Sequence, residues 1–123
     1  MARAAKEGGA LALRFAKQSF KSWDKAPGDP VTEADLAVNQ LLKDQLTAHQ
    51  PDYGWLSEEC ADDHSRLSKT RLWVVDPIDG TRAFIKGLAE YVVSIALVEH
   101  GSTIAACLYD PNRQALYGAI KGE

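Results

Sequence analysis

The sequence has little cysteine and no long hydrophobic run. Only Cys60 and Cys107 occur among its 123 residues, which is too few for a disulfide-rich scaffold and gives no Cys-x-x-Cys metal site. A reducing cytoplasm is therefore the expected location. The longest apolar run, Val92–Val98, includes Ser94 and is far shorter than the roughly 20 residues that span a bilayer. Because the first residues also lack a signal-peptide pattern, we expect no membrane attachment.

The chain also lacks a strong charge of either sign. Fourteen Lys and Arg residues oppose seventeen Asp and Glu residues, so the formal net charge is -3. This balance argues against the broad basic surface of a nucleic-acid-binding protein. Since 46% of the residues are hydrophobic and 25% are charged, the composition is typical of a globular domain. We expect one compact unit whose acidic residues act locally.

Two helices are predicted in the first half of the chain. Leu11 and Phe15 lie four residues apart within residues 1–20, which favours a helix despite Gly8 and Gly9. The proline-containing stretch Trp23–Pro30 is predicted to be a loop, because proline cannot continue a helix. A second helix is predicted to begin at Thr32 and to end near Pro51. Its apolar stripe consists of Ala34, Val38, Leu41, Leu42 and Leu46.

Short apolar runs predict strands in the rest of the chain. Tyr53–Leu56 and Leu72–Val75 are each followed by acidic residues, and three further runs, 91–98, 103–109 and 115–120, have the spacing of an antiparallel meander. The predicted fold class is α/β of the α+β type, with two N-terminal helices on a largely antiparallel sheet. The last strand runs to the end of the sequence, so we expect part of a larger domain. Its open sheet edge could pair with a partner or in a homodimer.

Three acidic signals are candidates for chemistry: Asp35, the pair Glu58-Glu59, and the motif Asp76–Thr81. Asp35 could be an ordinary residue of a helix first turn, and the Glu58–His64 stretch could be a solvated acidic loop. The residues of Asp76–Thr81 all favour turns as well. The third signal is nevertheless distinctive, because an apolar strand leads into it and a helix-compatible segment follows.

The motif Asp76–Thr81 can bring a cation and a phosphate together. Asp76 and Asp79, with the intervening Ile78 carbonyl, offer the oxygen ligands that Mg²⁺ prefers. Gly80 lets a phosphate approach closely because it has no Cβ atom, and Gly80 and Thr81 can present backbone N–H groups to it. The residues therefore predict a magnesium site beside a phosphate site.

The ordered set of Asp35, Glu58-Glu59 and Asp76–Thr81 resembles the signature of the inositol monophosphatase family, within the lithium-sensitive, magnesium-dependent phosphatase superfamily. Bisphosphate nucleotidases and fructose bisphosphatases belong to the same superfamily. The segments 29–35 and 72–75 resemble the helix entry and the strand that accompany these motifs in the family. The likeness extends from about the first helix to the end of the sequence, and it implies the first lobe of a layered sugar-phosphatase fold.

The resemblance also implies a role for each site residue. Glu58 would bind the metal that activates the attacking water, Asp76 would bridge two metals, and Asp79 would hold the second. The Ile78 carbonyl would complete the first metal site. Thr81 would orient the water with Asp35 behind it, and Glu59 would support an outer shell. The catalytic set is therefore Glu58, Asp76, Asp79, Thr81 and Asp35, with Gly80 and Thr81 binding substrate.

The implied activity is magnesium-dependent hydrolysis of a small phosphate monoester. Candidate substrates are an inositol monophosphate, a 3'(2'),5'-bisphosphate nucleotide and histidinol phosphate; a basic residue at Arg82 weakly favours the latter two. Family members are usually more than twice as long, and their second lobe supplies another metal ligand and most substrate contacts. We therefore expect residues 1–123 to be an N-terminal lobe. The alternative is a non-catalytic fragment or interaction module that binds metal without turnover.

Overall fold

A computed structural model describes residues 1–62 and 64–122 of the chain. Asp63, which belongs to the acidic stretch noted above, and Glu123 lie outside the described residues. The helices are α1 (Ala2–Ala16), α2 (Glu33–His49) and α3 (Thr81–Ile85), with a short 3₁₀ helix at Ser65–Ser68. The strands are β1 (Ser22–Ala26), β2 (Asp29–Thr32), β3 (Gly54–Ser57), β4 (Arg71–Asp79), β5 (Val92–Glu99), β6 (Ser102–Asp110) and β7 (Ala115–Ile120). Among these residues, no helix has both the length and the apolar character needed to cross a membrane.

Five strands form the main sheet in the order β3-β4-β5-β6-β7. Only β3 and β4 run parallel, and every other neighbouring pair is antiparallel. Helices α1 and α2 pack against each other and on one face of this sheet, where their apolar residues join those of the strands in a single core. The predicted fold class, two helices on a largely antiparallel sheet, is confirmed.

The apolar stripe of α2 is the centre of the core. Ala34, Val38, Leu42 and Leu46 are all less than 5% exposed, whereas Leu41 is only partly buried. These positions recur every three or four residues and so lie on one side of the helix. The stripe packs against β4, which ends in the predicted metal ligands. Packing of α2 therefore fixes the position of the acidic motif.

The stretch Trp23–Pro30 is not the loop predicted from the sequence. It is a hairpin in which β1 and β2 pair antiparallel as a separate two-stranded sheet. Proline excludes a helix, but Pro27-Gly28 is also a favourable pair for a tight turn, and Gly28 has the positive φ of 75° that such a turn requires. Pro30 is tolerated because β2 pairs on one side only.

The Asp76–Asp79 segment is part of a strand, although its residues favour turns. Strand β4 continues to Asp79, with a register irregularity against β5 between Asp76 and Asp79. Such irregularities bend a strand and redirect its side chains without ending the pairing. Helix α3 then begins at Thr81 and spans only five residues, so the helix predicted to follow the motif is a single turn.

Gly8 and Gly9 allow α1 to approach the rest of the core closely. A Cβ atom on Gly9 would lie 2.5 and 2.6 Å from ring carbons of Tyr109, and one on Gly8 would lie 3.2 Å from the side chains of Val38 and Leu42. Glycine has a low helix propensity, but the close packing of α1 against β6 and α2 favours residues without a Cβ atom at these two positions.

We predict that Gly9→Ala lowers the free energy of unfolding by about 1–3 kcal/mol, because the tyrosine ring has to move. Gly8→Ala is the matched control. Its contacts are flexible side-chain ends, and the helix propensity gained, about 1 kcal/mol, offsets the crowding. Urea unfolding of both variants tests this, and a Gly9→Ala protein as stable as Gly8→Ala would refute the packing argument.

Candidate functional site

The predicted site residues surround one open depression of about 340 Å³ at the end of β4. Its lining comes from the hairpin, the segment after β3, the end of β4 and the start of α3. The lining residues are Lys25, Asp29, Pro30, Glu58, Glu59, Asp76, Ile78, Asp79, Gly80, Thr81 and Arg82. Every predicted metal-binding and substrate-binding residue is among them, and Asp35 lies beneath, in contact with Thr81.

Asp35 is a fully buried carboxylate at the start of α2. Its Oδ2 atom accepts hydrogen bonds from Thr32 N at 2.9 Å and Thr32 Oγ1 at 2.6 Å. Thr32 Oγ1 in turn accepts from Ala34 N and Asp35 N, which completes a capping box. Because a buried carboxylate is costly unless it is fully hydrogen-bonded, these contacts fix Asp35 in one orientation.

Thr81 connects this buried carboxylate to the depression. Its Oγ1 atom lies 2.9 Å from Asp35 Oδ1 and 3.1 Å from the Ile78 carbonyl oxygen. Both neighbours are acceptors, so the single hydroxyl proton is shared between them. The lone pairs of Thr81 Oγ1 remain available to accept a hydrogen bond from another molecule.

Asp76 is partly buried and surrounded by other acids. Burial raises its pKa from the ordinary 3.8 to about 7, and the negative charges of Glu58, Asp79, Glu59 and Asp35 contribute in that order. Like charges in a poorly solvated site disfavour ionisation. A cation at this position would relieve the same repulsion, so the electrostatics favour cation binding.

The donor atoms at the depression fit magnesium in their chemistry. Glu58, Asp76 and Asp79 supply carboxylate oxygens, and Ile78 supplies a carbonyl oxygen in the same lining. Within residues 1–62 and 64–122, however, no three acidic, histidine or cysteine side chains are already gathered into a metal-binding group. Glu58 and Asp79 are exposed, so their side chains are free to turn toward a bound ion.

Glu58 and Glu59 are adjacent but occupy different environments. Glu58 is exposed, whereas the Glu59 side chain is only 4% exposed and pairs with Lys25 Nζ at 3.0 Å. Lys25 Nζ also donates to the Glu58 carbonyl at 3.3 Å. Burial raises the pKa of Glu59 even though Lys25 opposes this. Glu58 is therefore the glutamate available to a cation, and Glu59 joins the segment to the hairpin.

A polar network holds the Glu58-Glu59 segment against α2. Ser57 Oγ donates to Asn39 Oδ1 at 2.7 Å, and Glu59 N donates to Ser57 Oγ at 3.2 Å. Asn39 Nδ2 also contacts Cys60 Sγ at 3.0 Å. Asn39 and Ser57 are both buried, so helix α2 positions this segment as well as Asp35.

The hairpin is attached to the far side of the depression by Arg82. The Arg82 guanidinium donates to the Gly28 carbonyl at the hairpin turn. Beside it, Gly80 has a φ of 109°, and a Cβ atom there would lie 2.5 Å from the Glu90 carbonyl oxygen. Only glycine fits this approach between α3 and the segment before β5.

The sequence indicated the acidic residues and the Thr32 cap, but it did not indicate the contacts between distant segments that hold the acidic residues in place. The capping pattern at Thr32 and Asp35 is visible in the sequence, since a threonine three residues before an acid begins many helices. Sequence alone gave no signal for the Lys25–Glu59 pair or the Arg82–Gly28 contact, because both join distant segments.

We predict that Asp76→Asn stabilises the metal-free chain more at pH 8 than at pH 5. The folded-state pKa of Asp76, about 7, exceeds the ordinary 3.8, so the folded state holds this proton more tightly than the unfolded state. The contribution of Asp76 to the free energy of unfolding therefore falls as pH rises from about 4 to about 7.

Urea unfolding in EDTA at the two pH values measures this difference. Asp62→Asn is the control, because hydrogen bonds from His64 and Arg66 lower the pKa of Asp62 below 3.8, and it stays ionised at both pH values. A stability change for Asp76→Asn that is equal at pH 5 and pH 8 would contradict the prediction.

Known proteins are similar to this chain in sequence and fold. The sequence profile of the Inositol monophosphatase family matches residues 1–123. The 3'(2'),5'-bisphosphate nucleotidase CysQ of Escherichia coli (strain K12) is 41% identical over 100 residues, which are 80% of this chain and 41% of that protein. The chain thus spans less than half the length of this relative.

Two solved structures show the same arrangement of elements. The extragenic suppressor protein SuhB from Bartonella henselae superposes with a TM-score of 0.92 at 29% identity, over 100% of this chain and 48% of that one. An IMPase/NADP phosphatase complexed with Mg²⁺ and phosphate superposes with a TM-score of 0.83 at 26% identity, over 96% of this chain and 45% of that one. The chain, matched along its whole length, belongs to the inositol monophosphatase family.

Proposed function

We propose that this chain supplies the metal-binding half of a magnesium-dependent phosphatase that hydrolyses a small phosphate monoester. The observation that carries the proposal is the convergence of Glu58, Asp76, Asp79 and the Thr81–Asp35 pair on one depression from separate elements. Membership of the family and the similarity to a phosphatase complexed with Mg²⁺ and phosphate support it.

Glu58, Asp76, Asp79 and the Ile78 carbonyl are the groups that would hold magnesium. When bound, Mg²⁺ supplies positive charge that stabilises phosphate oxygens and lowers the pKa of water. Asp76, the most deeply placed of the three carboxylates, would lie at the centre of the ligand set. Because burial and its acidic neighbours raise the pKa of Asp76, a bound cation would favour the ionised form of this carboxylate.

The Thr81–Asp35 pair would orient the attacking water. Thr81 Oγ1 directs its proton toward Asp35 Oδ1 and the Ile78 carbonyl, so toward the depression it is a hydrogen-bond acceptor. A water that donates to Thr81 Oγ1 has its own lone pair free to face a phosphorus atom. Buried Asp35 keeps the hydroxyl in this orientation and does not itself touch the water.

Among the candidate substrates, we favour a 3'(2'),5'-bisphosphate nucleotide over an inositol monophosphate or histidinol phosphate. Arg82 places a guanidinium at the rim of the depression, and within the described residues it has no acidic partner. A second phosphate on the substrate would give this cation a bidentate acceptor. The similarity to CysQ supports the same choice. Inhibition by lithium remains an expectation from the family resemblance.

We predict that Asp79→Asn and Glu58→Gln each weaken Mg²⁺ binding to this chain at least tenfold, because each removes one of three carboxylates from the ligand set. Isothermal titration with Mg²⁺ measures the affinity. Asp62→Asn is the matched control, since Asp62 pairs with Arg66 outside the depression. Equal Mg²⁺ affinities for the unaltered chain and all three variants would show that Mg²⁺ does not bind at this site, and would contradict the proposed mechanism.

The alternative function, metal binding without turnover, is favoured for the chain alone because it spans less than half of its relatives. We predict near-background phosphate release by the isolated chain on all three substrate classes. An open depression does not orient the leaving group, and orientation can contribute about 7–11 kcal/mol to catalysis. A steady-state phosphate-release assay with and without Mg²⁺ tests this, and robust turnover would show that the site is complete.

A further inference from the structure

Helix α2, all of whose residues the structure describes, buries two polar side chains among its apolar residues, Asp35 and Asn39. Asp35 accepts the hydroxyl of Thr81. Asn39 is 5% exposed and does not line the acidic depression. Burying an amide costs free energy unless its polar groups are hydrogen-bonded, so the partners of Asn39 indicate its role.

Asn39 contacts both ends of one turn. The Ser57 carbonyl accepts from the Cys60 N–H at 3.3 Å and closes the turn, and Glu58 and Glu59 are its two central residues. Asn39 Oδ1 accepts from Ser57 Oγ at 2.7 Å, and Asn39 Nδ2 donates to Cys60 Sγ at 3.0 Å. One side chain of the helix therefore bridges the two residues that flank the glutamate pair.

The contact with Asn39 also orients the turn. Ser57 Oγ gives its only proton to Asn39, so its lone pairs are free to accept the Glu59 N–H at 3.2 Å. With the backbone held in this way, the Glu59 side chain points inward to Lys25 and is only 4% exposed. Glu58, the preceding residue, is exposed and lines the depression.

An asparagine suits this position better than an aspartate. A carboxylate could accept from Ser57 but could not donate to Cys60. It would also add a negative charge behind a site that already contains several acids, where like charges disfavour ionisation. The neutral amide holds the turn without increasing this repulsion.

Asp35 and Asn39 are four residues apart, so they lie one helical turn from each other on the same side of α2. Asp35 holds Thr81, and Asn39 holds the turn that carries Glu58. Because the backbone of a helix is fixed by its own hydrogen bonds, α2 sets the spacing between the Thr81 hydroxyl and the segment that carries the Glu58 carboxylate.

We propose that Asn39 is a positioning residue of the metal site, which holds this turn so that Glu58 meets the cation. The inference rests on the proposed function, because it requires Glu58 to be a metal ligand. Removing a group that orients a metal ligand typically weakens metal binding by about 10–100-fold. Asn39 acts through Ser57 and the backbone, so we expect an effect at the lower end of this range.

The test measures Mn²⁺ binding to the 123-residue chain from the electron paramagnetic resonance signal of the free ion, since Mn²⁺ accepts the same oxygen ligands as Mg²⁺. We expect Asn39→Ala to weaken binding about tenfold and to accelerate amide hydrogen exchange at Glu59 and Cys60. Ser57→Ala breaks the same connection without altering α2, and it replaces Asn39→Ala in every comparison if that variant does not fold.

The decisive protein combines Asn39→Ala with Glu58→Gln. Because Asn39 acts through Glu58, Asn39→Ala should change the affinity of the Glu58→Gln chain by less than about twofold. Equal weakening with and without the Glu58 carboxylate overturns the inference, and so does an unchanged affinity of the Asn39→Ala single variant. A Glu58→Gln chain that binds Mn²⁺ as tightly as the unaltered chain contradicts the proposed function itself, and the inference with it.

Leu46→Val is the matched control. Leu46 is 3% exposed on the same helix, about two turns beyond Asn39, so this variant lowers the free energy of unfolding without removing a contact of the turn. We expect it to bind Mn²⁺ as tightly as the unaltered chain. An equal loss of affinity in Leu46→Val and Asn39→Ala would assign the effect to stability and overturn the inference.

Discussion

The buried carboxylate of Asp35 is the contact on which the rest of the site depends. It accepts hydrogen bonds from Thr32 N and Oγ1 at the end of β2 and from Thr81 at the start of α3. One side chain thus joins the hairpin, α2 and α3. Removing it would leave the N–H and hydroxyl of Thr32 unpaired in the core, at a cost of about 1–3 kcal/mol for each, whereas Thr81 Oγ1 would keep the Ile78 carbonyl as its acceptor. The Asp35 carboxylate therefore both orients Thr81 and stabilises the N-terminus of α2.

The carboxylates of the acidic depression repel one another. The fold reduces this repulsion for some of them more than for others. Lys25 offsets the charge of buried Glu59, whereas burial and the charges of four nearby acids raise the pKa of Asp76 to about 7. Glu58 and Asp79 reduce their share of the repulsion by remaining exposed. Glu59 thus has a structural role, and Glu58, Asp76 and Asp79 remain available to a cation. The mutual repulsion of these three carboxylates explains why their side chains do not cluster before a cation binds.

The elements, and the residues that line the acidic depression, were largely predictable because they follow from local patterns. The stripe of α2 and the Thr32 cap appear in a single stretch of sequence, and Asp76–Thr81 is one continuous motif. The hairpin was not predicted, because Pro27 and Pro30 exclude a helix without indicating that the flanking residues pair as strands. Lys25 and Arg82 could not be given partners, since Glu59 and Gly28 are 34 and 54 residues away in the chain. Contacts of that range arise from the fold and leave no periodic signal.

The central claim is that the oxygens of Asp76, Asp79 and the Ile78 carbonyl form a divalent-metal site, and a crystal structure with Mn²⁺ tests it most directly. Manganese accepts the same oxygen ligands as magnesium, and its anomalous scattering identifies the ion without reference to the protein coordinates. The account predicts an anomalous peak in the depression, within about 2.0–2.4 Å of Asp76 and at least one of the other two groups. A peak elsewhere, or none at millimolar Mn²⁺ with the fold intact, would contradict it.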